Sequence, residues 1–206
     1  MINILDLGYG NAFSVANTLE VLEYPFHLVS HPSKLQNGVL IIPGVGSIAS
    51  LADGLRKSNW SSCIEKYASN GNNIIGICLG LHALTSFSEE SGGMKCMNLL
   101  PGNASTLILD PLSQRSNTGW HPFTIDKNYL IQNLWVPFFA RSRKKSIKGR
   151  AFYNHIYGAK INSKHSLQIP DYESFASIVV KKNIMGIQFH PEKSQTLGKE
   201  LFEFIL

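Results

Sequence analysis

Cysteine is scarce in this sequence: three residues, at positions 63, 78 and 96, with no CxxC pair among them. Such spacing gives no basis for a disulfide framework or a zinc knuckle, and it predicts reduced thiols. Long hydrophobic runs are also missing. No apolar stretch approaches the ~18 residues of a membrane span. The opening MINILDLGYGN lacks the basic head and apolar core of a secretory signal, so a cytoplasmic protein is expected. Charge is thin, at 16% of residues, which makes the net charge of +5 a weak pointer to an anionic partner. Internal repeats and low-complexity linkers are absent. What remains is a chain of 206 residues, 44% of them hydrophobic, enough for one domain spanning residues 1–206 with a sizeable core.

Short apolar runs alternate with helical patterns through the first half. INILDL (2–7), HLVS (27–30), VLIIPG (39–44) and NIIGIC (73–78) read as buried strands, each bounded by Gly, Pro or Asn. Between them, residues 12–23 carry Val15, Leu19 and Leu22 at helical spacing. Residues 48–69 hold two helical stretches, interrupted near Ser58 and Asn59, with Leu51, Leu55, Ile64 and Tyr67 facing a core and Gly71 ending the second. This βαβ rhythm predicts an α/β fold: an open, mostly parallel twisted sheet with helices on both faces. The second half reads differently, as a run of strands near 105–109, 120–125, 151–153, 175–180 and 184–189 that adds antiparallel strands, and a closing helix over 194–205. The run RSRKKSIKGR (141–150) reads as a solvated basic loop, because no aromatic platform for bases is interleaved with it.

Chemistry concentrates in IIGICLGLHAL, residues 74–84. A cysteine on a sharp strand-to-helix turn is lifted clear of the backbone, and the following helix points free N–H groups at it. Gly76 and Gly80 let the chain bend and pass closely, and the helix N-terminus favours a thiolate. G-x-C-x-G is short, and a buried structural cysteine fits this stretch alone equally well. A thiolate needs a base and the base an orienter, and GIQFHPEKS (186–194) offers both, His190 at a strand end and Glu192 two residues on. IIPGVGSI (41–48) puts a Gly-rich loop at a strand's carboxyl end, where the N–H groups of Val45 and Gly46, with that of Leu79, form a candidate oxyanion hole. GYGNAF follows a strand but has Phe13 in place of the third glycine of a dinucleotide fingerprint, and HLVSH ends without an acidic residue for a ribose, which argues against Rossmann-type binding. His27 and His31 read as surface or packing residues, and Cys63 and Cys96 as small hydrophobes.

PGVG, GICLG, GW (119–120), FYNHIY (152–157) and GIQFHPEKS, with the opening DLGYGN (6–11), occur in the order found in class I glutamine amidotransferases, which the chain resembles over nearly its whole length. Within them it is most similar to the glutaminase subunits of the imidazole glycerol phosphate synthases of histidine biosynthesis. The resemblance implies that Cys78 attacks the side-chain amide of glutamine, His190 protonates the departing ammonia and then activates water, and Glu192 orients His190. It also implies glutamine binding at Gly44, His82, His155, Ile156 and Tyr157, and a heterodimer with a (β/α)8-barrel synthase that receives the ammonia. Asn11, Trp120 and Lys193 match positions facing that partner. No metal, cofactor, nucleic acid or membrane is implied. Three features depart from the family pattern: His82 stands where Gln is usual, Ile156 replaces the Ser of an HSY segment, and the chain between Trp120 and His155 is longer than expected. Two enzyme alternatives are a related glutaminase subunit that supplies ammonia for amidating surface-polysaccharide sugars and a stand-alone Cys-His hydrolase. A third, of another class, is a non-catalytic binding subunit, against which the intact Cys78, His190 and Glu192 argue.

Overall fold

The computed structural model describes residues 1–8, 10–107, 116–161, 165–170 and 172–206, with the side chain of Glu173 left out. In chain order the first half gives β1 (Ile2–Leu5), α1 (Ala12–Val21), β2 (Phe26–Val29), β3 (Val39–Ile42), α2 (Ile48–Lys57), α3 (Trp60–Ser69), β4 (Asn73–Ile77) and α4 (Leu79–Leu84). The second gives β5 (Phe87–Ser88), β6 (Met94–Lys95), β7 (Asn103–Thr106), β8 (Asn117–Asp126), α5 (Lys127–Gln132), β9 (Ser146–His155), β10 (Tyr157–Lys160), β11 (Ser166–Ile169), β12 (Tyr172–Lys181), β13 (Ile184–Ile187) and α6 (Gln195–Ile205). No helix among the described residues is long and apolar enough to cross a membrane.

Strands β2, β1, β3, β4 and β13 lie side by side and parallel, and β12 then turns the sheet antiparallel, followed by β10 and β7. The apolar runs of the sequence are continuous here because both faces of the sheet are covered. In β3, Val39 and Ile41 join the cluster under α1 and α6, whereas Leu40 and Ile42 join the one under α2, α3 and α4. The side-chain period of two thus divides one hydrophobic run between two cores. The expected architecture is present, including the break at Asn59, whose φ of 55° ends one helix and starts the next.

The second half corrects several expectations. The strand expected near 151–153 extends over ten residues, because Ile147, Ala151, Tyr153 and His155 alternate inward and pair with β8 into a separate ribbon. Residues 146–150 of the basic run therefore belong to a strand, not a loop. Arg141 is also engaged: its guanidinium donates to the carbonyls of Leu22 and Glu23, both at 3.1 Å, and lies 4.1 Å over the Tyr24 ring, closing the end of α1. Lys144 pairs with Glu200 at 2.7 Å. The extra length between Trp120 and His155 builds α5, capped by Asp126, and an anchor in which buried Trp135 donates through Nε1 to the Ile205 carbonyl at 2.9 Å. Of the strand expected at 105–109, positions 108 and 109 lie outside the described residues, and β7 ends at Thr106.

Candidate active site

Four parallel strands, β1, β3, β4 and β13, deliver their carboxyl ends to one edge, and the loops leaving them carry Asn11, Gly44, Cys78 and His190. Cys78 sits between β4 and α4 with φ 52° and ψ −105°, a conformation rare outside glycine. It is held there by its own N–H, which donates to the Ile187 carbonyl of β13 at 2.7 Å, and by its carbonyl, which accepts the His82 N–H of the first turn of α4 at 3.2 Å. Both glycines of the G-x-C-x-G stretch are required for packing: a Cβ at Gly76 would lie 2.6 Å from the Gly80 carbonyl oxygen, and one at Gly80 would lie 2.0 Å from that of Ile42.

His190 is anchored on three sides. Its N–H donates to the Phe152 carbonyl of β9 (2.9 Å), its carbonyl accepts from Ser194 Oγ (2.6 Å), and its Nδ1–H donates to Glu192 Oε1 (2.7 Å). The His190 and Glu192 side chains are 2% and 0% exposed. Bonding of Nδ1 to Glu192 leaves Nε2 for Cys78. Burial pushes the His190 imidazole down, but the hydrogen bonds and charges of Cys78 and Glu192 overcome it and raise it to about 10. The imidazole therefore holds its proton at neutral pH.

These groups open into a cavity of about 490 Å³ lined by Gly44, Val45, Cys78, His155, Tyr157 and His190, among others. Ile156, on its rim, is half exposed. The loop also brings Gly46 to this wall. Sequence reasoning missed Glu90, Thr118 and Asn154 here. Glu90 accepts from the Ile48 N–H at 3.2 Å, and burial raises its carboxyl despite that bond. A short 3-10 turn outside the quoted motifs places it, so no local pattern marked it. Gln188, inside the quoted GIQFHPEKS, is fully buried behind Cys78 and was also overlooked.

Three expected assignments change. The Leu79 N–H, expected to be free for an oxyanion, donates to the Gly44 carbonyl at 3.4 Å. Asn11, expected to face a partner, is 8% exposed and donates through Nδ2 to Glu192 Oε1, the atom that also accepts from His190. His82, expected to bind substrate, lines the cavity and is 3% exposed, with Nε2 bonded to Gln188 Oε1 at 3.1 Å. Trp120 packs edge-on against Phe152 at 5.5 Å and is half-buried, whereas Lys193 is exposed. His155 is buried, with Nδ1–H on the Tyr157 carbonyl (2.9 Å) and Nε2 accepting from Asn117 (3.2 Å). No cluster able to hold a metal ion occurs among the described residues.

Burial lowers His82 to about 4, and burial with the neighbouring His82 lowers His155 to about 3. Both imidazoles are neutral in the fold and charge more readily in the unfolded chain. Their contribution is complete above the unfolded value of about 6.5 and is lost as pH falls towards the folded values. His190 has the opposite sign: its contribution is complete below about 6.5 and fades as pH rises towards 10. The urea midpoint should peak near neutrality and drop steeply on the acid side, by roughly 3 kcal/mol from His82 alone. A His82→Gln variant should flatten the acid limb, and an unchanged limb would refute the assignment.

An open α/β sheet that aligns a cysteine, a histidine and a glutamate at its carboxyl edge, beside an open cavity, fits a protein of the thiol-dependent amide-hydrolase type. The chain belongs to the class I glutamine amidotransferase family, whose model (Glutamine amidotransferase class-I) matches residues 3–206. It is similar to the imidazole glycerol phosphate synthase subunit HisH of Bacillus subtilis, 31% identical over 98% of this chain and 93% of that protein. The subunit of the same name from Dehalococcoides mccartyi is 32% identical (98% and 95% covered), and that of Buchnera aphidicola is 31% identical (100% and 98% covered). Among solved structures, one described as a glutamine amidotransferase aligns with TM-score 0.68 at 15% identity, covering 98% of this chain and 96% of that one. PurLQS from Thermotoga maritima aligns at 0.67 and 18% identity, with the same coverage. These two share the fold.

Proposed function

We propose that this chain is the glutaminase subunit of an imidazole glycerol phosphate synthase in histidine biosynthesis, releasing ammonia from glutamine for a (β/α)8-barrel partner. The observation that carries the chemistry is the buried line Glu192–His190–Cys78 opening on the cavity. The Cys78 thiolate attacks the glutamine amide carbon. The His190 Nε2 proton passes to the departing nitrogen, leaving a thioester and ammonia. Neutral His190 then takes a proton from water, whose oxygen displaces the sulfur and gives glutamate. Glu192 holds the Nδ1–H, which keeps the ring aimed through both steps. Glu90 supplies a carboxylate at the cavity wall for the substrate's ammonium group.

Ammonia released into bulk water at neutral pH becomes mostly ammonium, which is no nucleophile, so a closed path to an acceptor is needed. The rim suits a docked subunit. Ile156 and Val45 line the cavity and are 52% and 37% exposed, apolar surface expensive to leave in water. The sequences named as synthase subunits, matched over 93% or more of their length, support this particular partner.

The Gly44 carbonyl on the Leu79 N–H makes the isolated subunit slow, because an oxyanion at that site would meet a lone pair instead of a donor. Rotation of the Gly44–Val45 peptide removes the oxygen and turns the Val45 N–H inward. Glutamate release should therefore rise about 100-fold or more when the barrel synthase and its nucleotide ligand are added, the range expected for restoring an oxyanion donor. Equal turnover with and without partner would point instead to a stand-alone hydrolase, and silence under every condition to a binding subunit.

A further inference from the structure

Gln188 stands at the meeting point of three elements. It follows β13, is fully buried, and accepts through Oε1 from the Ala159 N–H of β10 at 3.0 Å. A backbone N–H only donates, so this contact fixes which end of the amide is oxygen. His82 Nε2, 3.1 Å from the same oxygen, must then carry its proton and donate as well. With Oε1 held by two donors, the amide nitrogen is left pointing at Cys78 Sγ, 4.0 Å away. His82 itself lies on α4, which starts at Cys78, so its bond ties the helix behind the nucleophile to the strands beside it.

We infer that His82, whose ring also lines the cavity, is a positioning residue for the nucleophile, acting through Gln188. The chain Ala159–Gln188–Cys78 is braced by His82, and a substrate reaching Nε2 would have to displace Gln188. An N–H aimed at sulfur favours the thiolate over the thiol, because charge-assisted hydrogen bonds are the stronger ones. Loss of His82 frees the Gln188 amide to rotate and present its oxygen, an acceptor, to a negatively charged sulfur.

The inference rests on Cys78 being the nucleophile, and its test separates the two. Iodoacetamide alkylation of Cys78 is measured at neutral pH without glutamine, with Cys78→Ala as the blank, beside kcat and KM of the partner-bound enzyme. His82→Leu and Gln188→Met should each slow alkylation about tenfold, the effect of one hydrogen bond to a charged group. The double variant should be no slower than the slower single, because both remove the same bond. His82→Gln keeps a donor and should regain the wild-type rate within about threefold, with KM for glutamine inside about twofold in all variants. A His82→Leu enzyme with raised KM and untouched alkylation would make His82 a substrate ligand and overturn the inference, as would multiplying effects in the double variant. If Gln188→Met does not fold, the His82→Leu and His82→Gln pair decides alone. Slowed alkylation in a protein that never turns over glutamine would sink the glutaminase reading and leave the positioning role standing.

Discussion

Cys78→Ala is expected to abolish partner-stimulated glutamate release, with a fall on the order of 10⁶-fold, while the protein stays folded. The magnitude follows from losing the one thiol among the described residues that line the cavity. Without the sulfur nothing attacks the amide carbon, and the thioester that divides one hard amide hydrolysis into two easier steps cannot form. The fold survives because alanine keeps the Cβ and asks the backbone for the same φ of 52°. The bond from the residue's N–H to Ile187 and the one from His82 to its carbonyl are main-chain contacts and remain. A second readout distinguishes loss of sulfur from loss of structure. Burial presses His190 towards neutrality, and the bond to Cys78 stands foremost among the influences that oppose it, followed by the bond to Glu192 and the charges of both. In the alanine variant the imidazole should titrate well below its wild-type value, as read from its ring proton resonances across pH. Residual turnover above the blank at a full complement of folded protein would mean that another group performs the attack.

The parallel half of the fold was legible in the sequence because burial on both faces leaves a plain signature: four short apolar runs with helical patterns between them. The nucleophile elbow was legible for a related reason. Where backbone packs on backbone no side chain fits, and the glycines at 76 and 80 record that directly. What escaped was set by partners distant in the chain. The basic run reads as a loop until β8 is opposite it, since lysine and arginine on the outer face hide the inward alternation of Ile147, Ala151 and Tyr153. Family position put Asn11 on a partner surface, but its amide reaches Glu192, 181 residues away. The loop proposed for the oxyanion lines the cavity, but the orientation of its peptides was not legible. PGVG marks where the N–H groups lie, but whether a carbonyl or an N–H faces the cavity depends on one peptide rotation that composition does not encode.

Gly80→Ala is expected to destabilise the chain by roughly 3–5 kcal/mol, against the sign that helix propensity alone would give. Alanine in place of glycine inside a helix is normally worth about 1 kcal/mol of added stability. Here the new Cβ would stand 2.0 Å from the carbonyl oxygen of Ile42, and that atom belongs to a central strand paired on both sides. It is backbone, so the clash is not relieved by a side-chain rotation. Either β3 gives up register or α4 tilts away from the sheet. Gly44 packs against the same turn, where a Cβ would come within 2.5 and 2.6 Å of Leu79 Cβ and the Gly80 nitrogen. A tilt would also carry Cys78 away from His190, and a displacement of about 1 Å at a reacting atom costs on the order of 100-fold in rate. The folded fraction of Gly80→Ala should therefore be slow as well as scarce. Gly149→Ala is the control: its Cβ would meet only the Leu197 side chain, at 3.1 Å, which can shift. A urea midpoint that falls far for Gly80→Ala and little for Gly149→Ala places the strain in the backbone contact beneath the nucleophile. A midpoint that rises for Gly80→Ala would show that α4 does not rest on β3 as described.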